Sequence, residues 1–173
     1  MIKIYTMKKI ICISPLRCCA FLFLMLISMS SCQEEITRNS PSFQGLKDDV
    51  MWRAIDSRAE LETNGSLTII GLTQYEIVTL KVPSTNEATY ILGTSTNKQA
   101  AYVYEKDDVV LNYSTGIGMG DGQIIIEEYD EAKMTITGSF RFNAENVDDN
   151  PLGGEILNYR EGVFYKVPVI PAL

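Results

Sequence analysis

The sequence predicts an all-β protein, an antiparallel β-sandwich of about eight or nine short strands. Beyond residue 64, short runs of β-branched and aromatic residues alternate with turn-forming clusters of Asn, Asp, Gly and Pro. Residues 133–144 alternate strictly between apolar and polar side chains, which indicates a strand with one dry and one wet face. A closed lipocalin-like barrel is the alternative, and it would keep a ligand cavity of roughly 300 Å³ or more.

The chain before residue 64 is harder to assign. Residues 46–61 have a loose helical spacing, but Asp48-Asp49 is a turn signal and residues 52–55 fit a short strand, so we favour strand there. The later strands are predicted at residues 67–71, 75–82, 88–92, 100–105, 109–114, 123–129, 133–144, 155–159 and 162–170.

Three residues predict local features of the last strands. Gly138 interrupts the apolar row of 133–144, which predicts a bend or bulge. A tight turn is predicted around Arg160-Glu161, between the last two strands. Pro168 cannot donate a ladder hydrogen bond, so the final strand is expected to lie at a sheet edge or to end there.

Residues 1–31 have the composition of an export signal. Four basic residues and no acid occur in this stretch, and residues 18–27 form an uninterrupted apolar run. Ten residues are too few for a bilayer-spanning helix, which needs about 20, but they suit the apolar region of a signal peptide. Translation could start at Met1 or at Met7, which opens a more compact signal.

The segment Met29-Ser30-Ser31-Cys32 resembles the lipobox of bacterial lipoproteins, although Met29 replaces the usual leucine. The resemblance implies that Cys32 is lipidated and becomes the mature N-terminus, where two or three acyl chains such as palmitate give lasting attachment to the membrane. The alternative is ordinary signal-peptidase cleavage, which leaves a free thiol. Gln33-Glu34-Glu35 is similar to the acidic export signal of Bacteroidetes-type surface lipoproteins, which implies the outer face of the outer membrane. If these acids are only ordinary residues of a flexible tether, the alternative is the periplasmic face.

The chain therefore divides into a lipoprotein signal peptide at 1–31, a flexible tether at 32–44 and a single β-domain at 45–173. The mature part carries 11 Lys and Arg against 22 Asp and Glu, a net charge near −11. Such a charge repels phosphate backbones, so no nucleic acid partner is expected. Cys32 is the only cysteine of the mature part, which excludes an internal disulfide.

Composition also restricts the chemistry. The sequence has no histidine, so it cannot build Ser-His-Asp or Cys-His catalysis or a His-containing zinc site. Carboxylates alone could serve a glycosidase or a calcium site. The candidates are Glu127, Glu128, Asp130 and Glu131 for catalysis, and Asp107-Asp108, Asp121 and Asp148-Asp149-Asn150 for calcium. We interpret them as solvated turn residues, and the glycine-rich segment 116–122 as a hairpin loop rather than a phosphate loop. No cofactor and no metal are expected.

Tyr102 and Tyr104 share one face of a predicted strand, opposite Ala101 and Val103. If the small residues face the core, the two tyrosines form an exposed platform on which a sugar ring could stack. If the tyrosines are core residues, no such platform exists. Both arrangements agree with the pattern.

The segments 136–144 and 156–164 resemble the C-terminal signature of a family of small Bacteroidetes-type secreted lipoproteins, which is classed as a domain of unknown function. Its Gly138-Ser139-Phe140-Arg141-Phe142 and Gly162-Val163-Phe164 motifs are joined by similar short motifs at 52–54 and 122–126. The likeness covers most of residues 43–170 and implies no activity.

These observations predict a lipid-anchored, exported, non-catalytic module that binds a glycan or a protein partner at the cell envelope. One alternative is a lipocalin-like carrier of a small apolar ligand. The other is a glycan hydrolase that uses carboxylates alone.

Overall fold

The structure, a computed structural model, describes residues 41–171. Its regular elements are all strands, and no helix that could cross a membrane occurs among these residues. The strands are β1 (Ser42–Lys47), β2 (Val50–Arg53), β3 (Asp56–Leu61), β4 (Leu67–Leu72), β5 (Glu76–Val82), β6 (Ala88–Ile91), β7 (Gln99–Lys106), β8 (Val109–Ser114), β9 (Asp121–Asp130), β10 (Thr135–Asn146) and β11 (Ile156–Pro171).

The all-β prediction is confirmed, with eleven strands in the described part of the chain rather than eight or nine. The difference arises mainly before residue 64, where the ambiguous stretch forms the end of β1 and all of β2 and β3. β1 begins at Ser42, so the last residues of the expected tether belong to the sheet. The predicted signal peptide, Cys32 and the predicted tether up to residue 40 lie outside the described residues.

All eleven strands belong to one sheet, in the order β2-β1-β11-β3-β4-β5-β7-β8-β10-β9-β6. Every pairing is antiparallel except that of β11 with β3. β10 also pairs with β11, and two residue pairs join it to β8, so seven of the strands are linked in a ring. The strands of a closed barrel, the alternative fold prediction, would also be paired in a ring.

The interior of the sheet is filled by side chains from its two facing halves, as in a sandwich. Phe142 stacks on Tyr159 with their ring centroids 4.9 Å apart, and Tyr102 of β7 lies 6.2 Å from Tyr159 of β11. Phe43 of β1 covers Gly71 of β4 so closely that a β-carbon at Gly71 would lie 1.7 Å from its ring. Close aromatic packing of this kind gives the fold its core without a disulfide.

The alternation predicted for residues 133–144 is confirmed in β10, where Ile136, Phe140 and Phe142 are buried and Arg141 is exposed. Gly138 marks an irregularity, as predicted, because the register of β10 shifts there against both β9 and β11. Its missing side chain lets the strands approach, since a β-carbon would lie 2.1 Å from the carbonyl oxygen of Ile125.

The turn predicted at Arg160-Glu161 is wrong. β11 continues through this point, and Glu161 adopts a left-handed φ of 51° as the extra residue of a β-bulge. The bulge keeps the strand in the sheet because β10 and β1 pair with it on both sides of the irregularity.

The prediction of an edge position for Pro168 is also wrong, because β11 lies inside the sheet. Val169 N–H donates to the carbonyl of Met134 on the β10 side, so the nitrogen of Pro168 faces the other side. There β11 changes neighbours, since its pairing with β1 ends at Tyr165 and its pairing with β3 begins at Val169. The proline therefore lies in the short stretch of β11 that has no paired strand on this side, where no ladder donor is needed.

Candidate functional site

Tyr102 and Tyr104 point towards the core, so the exposed aromatic platform is not formed. Tyr102 is only 3% exposed, and Tyr104 is partly buried against the core. Of the two arrangements that the sequence allowed, the structure has the one in which the tyrosines serve packing. The hydroxyl of Tyr102 donates to Glu76 Oε1 at 2.7 Å, which gives this buried phenol its polar partner.

Glu76 is the centre of a polar cluster that joins distant strands. Trp52 Nε1 donates to its Oε2 at 3.0 Å, and Thr73 Oγ1 donates to the same oxygen at 3.3 Å. Lys47 forms an ion pair with its Oε1 and also donates to the hydroxyl of Tyr102 at 3.1 Å. Because both carboxylate oxygens are occupied by protein donors, the cluster connects β1 and β2 to β5 and β7 and leaves little acceptor capacity for a substrate.

The electrostatics of Glu76 also disfavour an acid role in glycan hydrolysis. Burial by itself raises the pKa of Glu76. The hydrogen bonds from Lys47 and Tyr102, together with the positive charge of Lys47, lower it by more than burial raises it, so the pKa lies below the ordinary value of a glutamate. A general acid of a glycosidase needs a raised pKa instead. Burial, and then the carboxylate of Glu76, raise the pKa of Tyr102, which therefore stays protonated.

The acidic residues around the β9–β10 turn are occupied locally. Glu127 accepts a hydrogen bond from Ser139 at 2.9 Å, and Glu128 is exposed. Asp130 accepts from the side chain and the backbone of Lys133, and the side-chain bond holds the pKa of this carboxyl below its usual range. Glu127 and Asp130 are thus paired with protein donors and not with a second acid.

The acids singled out for calcium are not gathered into a metal-binding group among the described residues. Asp107 has a left-handed φ of 53° in the β7–β8 turn, and Asp148 accepts a hydrogen bond from Asn112. Within residues 41–171, no group of three or more His, Cys, Asp or Glu side chains is placed to hold a metal ion. Asp121 belongs instead to a row of polar side chains on β9, β10 and β11.

The prediction of a hairpin loop at residues 116–122 is wrong in its connectivity, because β10 lies between β8 and β9 in the sheet. The segment makes a small turn closed by Gly116 and Met119 and then reaches across to β9. Gly120 has a positive φ of 62°, and its N–H donates to Glu145 of β10 at 2.7 Å. These glycines therefore shape the connection from β8 to β9, two strands that β10 separates in the sheet.

The outer face of β9, β10 and β11 carries a groove of about 320 Å³, which we call the polar groove. Asn143 Nδ2 donates to Asp121 Oδ1 at 3.0 Å, and Asn158 Nδ2 donates to Asn143 Oδ1 at 2.6 Å. These three side chains therefore form a hydrogen-bonded row across the strands, held in fixed orientations before any ligand arrives. The residues that line the groove are Ile91, Asp121, Gly122, Gln123, Arg141, Phe142, Asn143, Asn158, Tyr159 and Arg160.

Two arginines border this row. Arg141 donates to the amide oxygen of Gln123 at 3.3 Å, and it forms no ion pair with an acid among the described residues. Arg160 forms an ion pair with Asp49, and both of these side chains are largely exposed. Ile91 of β6, 48% exposed, supplies an apolar wall on the β6 side.

Two backbone irregularities give the groove its shape. The bulge at Glu161 adds a residue to β11 beside Arg160, and bulges bend a strand and redirect its side chains. Gly122 has a φ of 134°, and a β-carbon there would lie 2.2 Å from the carbonyl oxygen of Arg141. The close approach of β9 to β10 at this glycine sets the floor of the groove.

Sequence reasoning identified only part of this site. The alternation of β10 placed Arg141 and Asn143 on its wet face, and Asp121 was a calcium candidate. Gln123, Asn158 and Arg160 were missed as site residues, because no local pattern tells which strands lie beside β10. Because a turn was predicted at Arg160-Glu161, the bulge that places Arg160 at the groove was missed as well.

Fold and site together define an all-β domain with a preorganised polar groove on the outer face of its sheet. Residues 39–168 match a family described as a domain of unknown function, DUF6252, and the chain belongs to this family. Every residue of the polar groove lies within the matched range. No curated protein and no solved structure matches the chain.

Proposed function

We propose that the mature protein is a non-catalytic binding module, anchored by lipid on Cys32, that uses the polar groove to hold a glycan or a protein partner at the cell envelope. The observation that carries this proposal is the row of Asp121, Asn143 and Asn158, whose mutual hydrogen bonds order the groove. A site ordered in advance loses less conformational entropy when a ligand binds.

The composition supports binding rather than catalysis. The sequence contains no histidine, and Cys32 is the only cysteine after the proposed signal peptide. Among the described acids, Glu76 is saturated by protein donors and has a lowered pKa, whereas Glu128 is exposed on a strand. These environments suit structural and surface roles better than paired acid–base chemistry.

The proposed anchor accounts for how such a domain would stay at the membrane. Two or three acyl chains, at about 0.8 kcal/mol per buried methylene, hold a protein where one chain cannot. The acidic mature chain would not adhere to anionic lipid by itself. The Bacteroidetes-type signal Gln33-Glu34-Glu35 supports a place on the outer face of the outer membrane.

Labelled palmitate incorporated by cells that express the full-length chain tests the anchor. We expect label in the wild type and in the control Cys19→Ala, whose cysteine belongs to the signal peptide, and none in Cys32→Ala. Equal labelling of all three proteins, or of none, would show that Cys32 is not the anchor.

The binding part of the proposal needs a separate test. Full-length protein in detergent is applied to arrayed glycans and to envelope proteins, beside a variant that carries Asn143→Ala and Asn158→Ala. We expect at least one ligand that the wild type retains and the variant loses. If every retained ligand binds both proteins equally, the polar groove is not the binding site.

A further inference from the structure

We propose that the ligand of the polar groove is a short saccharide that carries a carboxylate, of the uronic-acid class. This inference rests on the proposed function, because it names the ligand of the same groove. Three observations support it: the charged side chains in the groove, the donors and acceptors there that have no partner within the described residues, and the pairing of the strand beneath them on both sides.

The charges at the groove are balanced, whereas the domain as a whole is strongly acidic. The mature chain carries twice as many acids as bases, whereas the lining of the groove contains two arginines, Arg141 and Arg160, and one acid, Asp121. Arg160 is already paired with Asp49, so Arg141 is the arginine of the groove that has no acidic partner among the described residues. Asp121 already accepts a hydrogen bond from Asn143. An anionic ligand would be repelled by most of this surface and could pair with Arg141, which gives the site selectivity by charge.

Arg141 is the group best placed to bind a carboxylate. In the described part of the chain its side chain makes one hydrogen bond, to the neutral side chain of Gln123, and no ion pair. A guanidinium has five N–H donors in a planar fork that matches a carboxylate. Arg141 is exposed on the groove side of β10, so its remaining donors are available to a ligand without breaking an ion pair.

The other side chains of the groove suit hydroxyl groups. After their mutual bonds, Asn158 keeps its Oδ1 as an acceptor and Asp121 keeps its Oδ2, since no hydrogen bond occupies either atom among residues 41–171. The Nε2 of Gln123 remains a donor. A sugar hydroxyl donates and accepts, so neighbouring hydroxyls can satisfy these mixed groups together.

The backbone beneath the groove disfavours an extended peptide. Peptides that add a strand to a sheet need a free edge, whereas β10 is paired on both sides, with β9 and with β11. Recognition at this point must come from side chains. The volume of about 320 Å³ lies near the lower end of the range of roughly 300–1,000 Å³ for small-molecule sites, which suits a short saccharide.

The experiment is a calorimetric titration of the full-length protein in detergent with trigalacturonate, with neutral maltotriose and with a triglutamate peptide. We expect trigalacturonate to bind most tightly and its affinity to fall as salt is raised, because an exposed ion pair is screened. Arg141→Gln should weaken this binding about 10- to 100-fold, the effect of losing a charged hydrogen-bonded pair. Arg58→Gln is the matched control, since it removes the same charge from β3, outside the groove, and should leave the affinity unchanged.

Each other outcome overturns the inference. Equal affinities for trigalacturonate and maltotriose, or an unchanged affinity in Arg141→Gln, would remove the role of the carboxylate. Preference for the triglutamate peptide, or no binding of either saccharide, would exclude the uronic-acid class. These results would leave the proposed function standing if the Asn143→Ala and Asn158→Ala variant still loses an arrayed ligand. Circular dichroism of each variant verifies that it is folded.

Discussion

Glu76 is the residue on which the side chains of Lys47, Trp52, Thr73 and Tyr102 converge. It receives hydrogen bonds from β2 and β7 and an ion pair from β1, which are strands far from it in sequence. Its side chain is 17% exposed, and that of Lys47 is 25% exposed. A charged pair in such a setting stabilises a fold only when further hydrogen bonds satisfy it, as Trp52 and Tyr102 do here.

Glu76→Gln should lower the free energy of unfolding at neutral pH by roughly 1–3 kcal/mol, because charge-assisted hydrogen bonds become neutral ones and Lys47 loses its counter-ion. Urea unfolding at pH 7 measures this. The control Glu87→Gln changes an exposed acid in the turn before β6 and should have little effect. A change no larger than that of the control would show that the cluster does not stabilise the fold.

The contribution of Glu76 should depend on pH with a definite sign. Its folded pKa lies below the value of 4.5 expected for the unfolded chain, so the stabilisation is complete above that value and is lost as the pH falls through the folded pKa. The difference in unfolding free energy between wild type and Glu76→Gln should therefore shrink between pH 5 and pH 3. A difference that stays constant over this interval contradicts the assigned pKa shift.

At the scale of elements, β10 and β11 carry both the core and the polar groove. Their inner faces supply Phe140, Phe142, Tyr159 and Phe164 to the aromatic core, whereas their outer faces supply Arg141 and the other polar side chains of the groove. The bulge at Glu161 and the irregularity at Gly138 bend the pair without breaking its pairing. Bulges of this kind let one strand pair serve packing on one side and binding on the other.

Gly138→Ala tests the close approach of these strands. The added methyl group would lie 2.1 Å from the carbonyl oxygen of Ile125 and 2.4 Å from Phe164 Cζ, so the backbone must shift. We expect a loss of about 1–3 kcal/mol in unfolding free energy, the usual cost of overpacking. Thermal unfolding followed by circular dichroism measures it, and Gly154→Ala is the control because its methyl group would meet only Ile156 O at 3.7 Å. Equal melting temperatures for the two variants would refute the constraint at Gly138.

At the scale of the whole molecule, the pairings tie the described strands into one cooperative unit. β2 lies at one end of the sheet order, but its Trp52 contacts Phe43 and Tyr159 and donates to Glu76 on β5. The β1–β2 hairpin is therefore held by the same core as the strands of the ring. It should not unfold separately from them.

Trp52 is the only tryptophan of the sequence, so its fluorescence reports on this hairpin alone. In urea, the midpoint of the fluorescence change should coincide with that of far-UV circular dichroism, as in a two-state transition. A fluorescence midpoint at clearly lower urea would mean that the hairpin detaches before the rest of the sheet unfolds.

Residue types and their spacing along the chain predict the all-β class, the two faces of β10 and the lack of histidine chemistry. These properties follow from residue type and from the two-residue period of a strand, both of which are local. The irregularity at Gly138 was also predictable, because a glycine within an apolar row of a strand usually marks a bulge or a close approach of backbones.

The identity of the neighbouring strands, and therefore the set of residues that form the site, follows from the folded chain and not from local patterns. The sequence pattern left both orientations of Tyr102 open, and burial against Tyr159 and the bond to Glu76 chose between them. Arg160 lies at the polar groove because β10 and β1 pair with β11 on both sides of the bulge at Glu161. The sequence pattern at this bulge is that of a turn. Contacts between strands far apart in the chain depend on pairing and register, which local residue patterns do not encode.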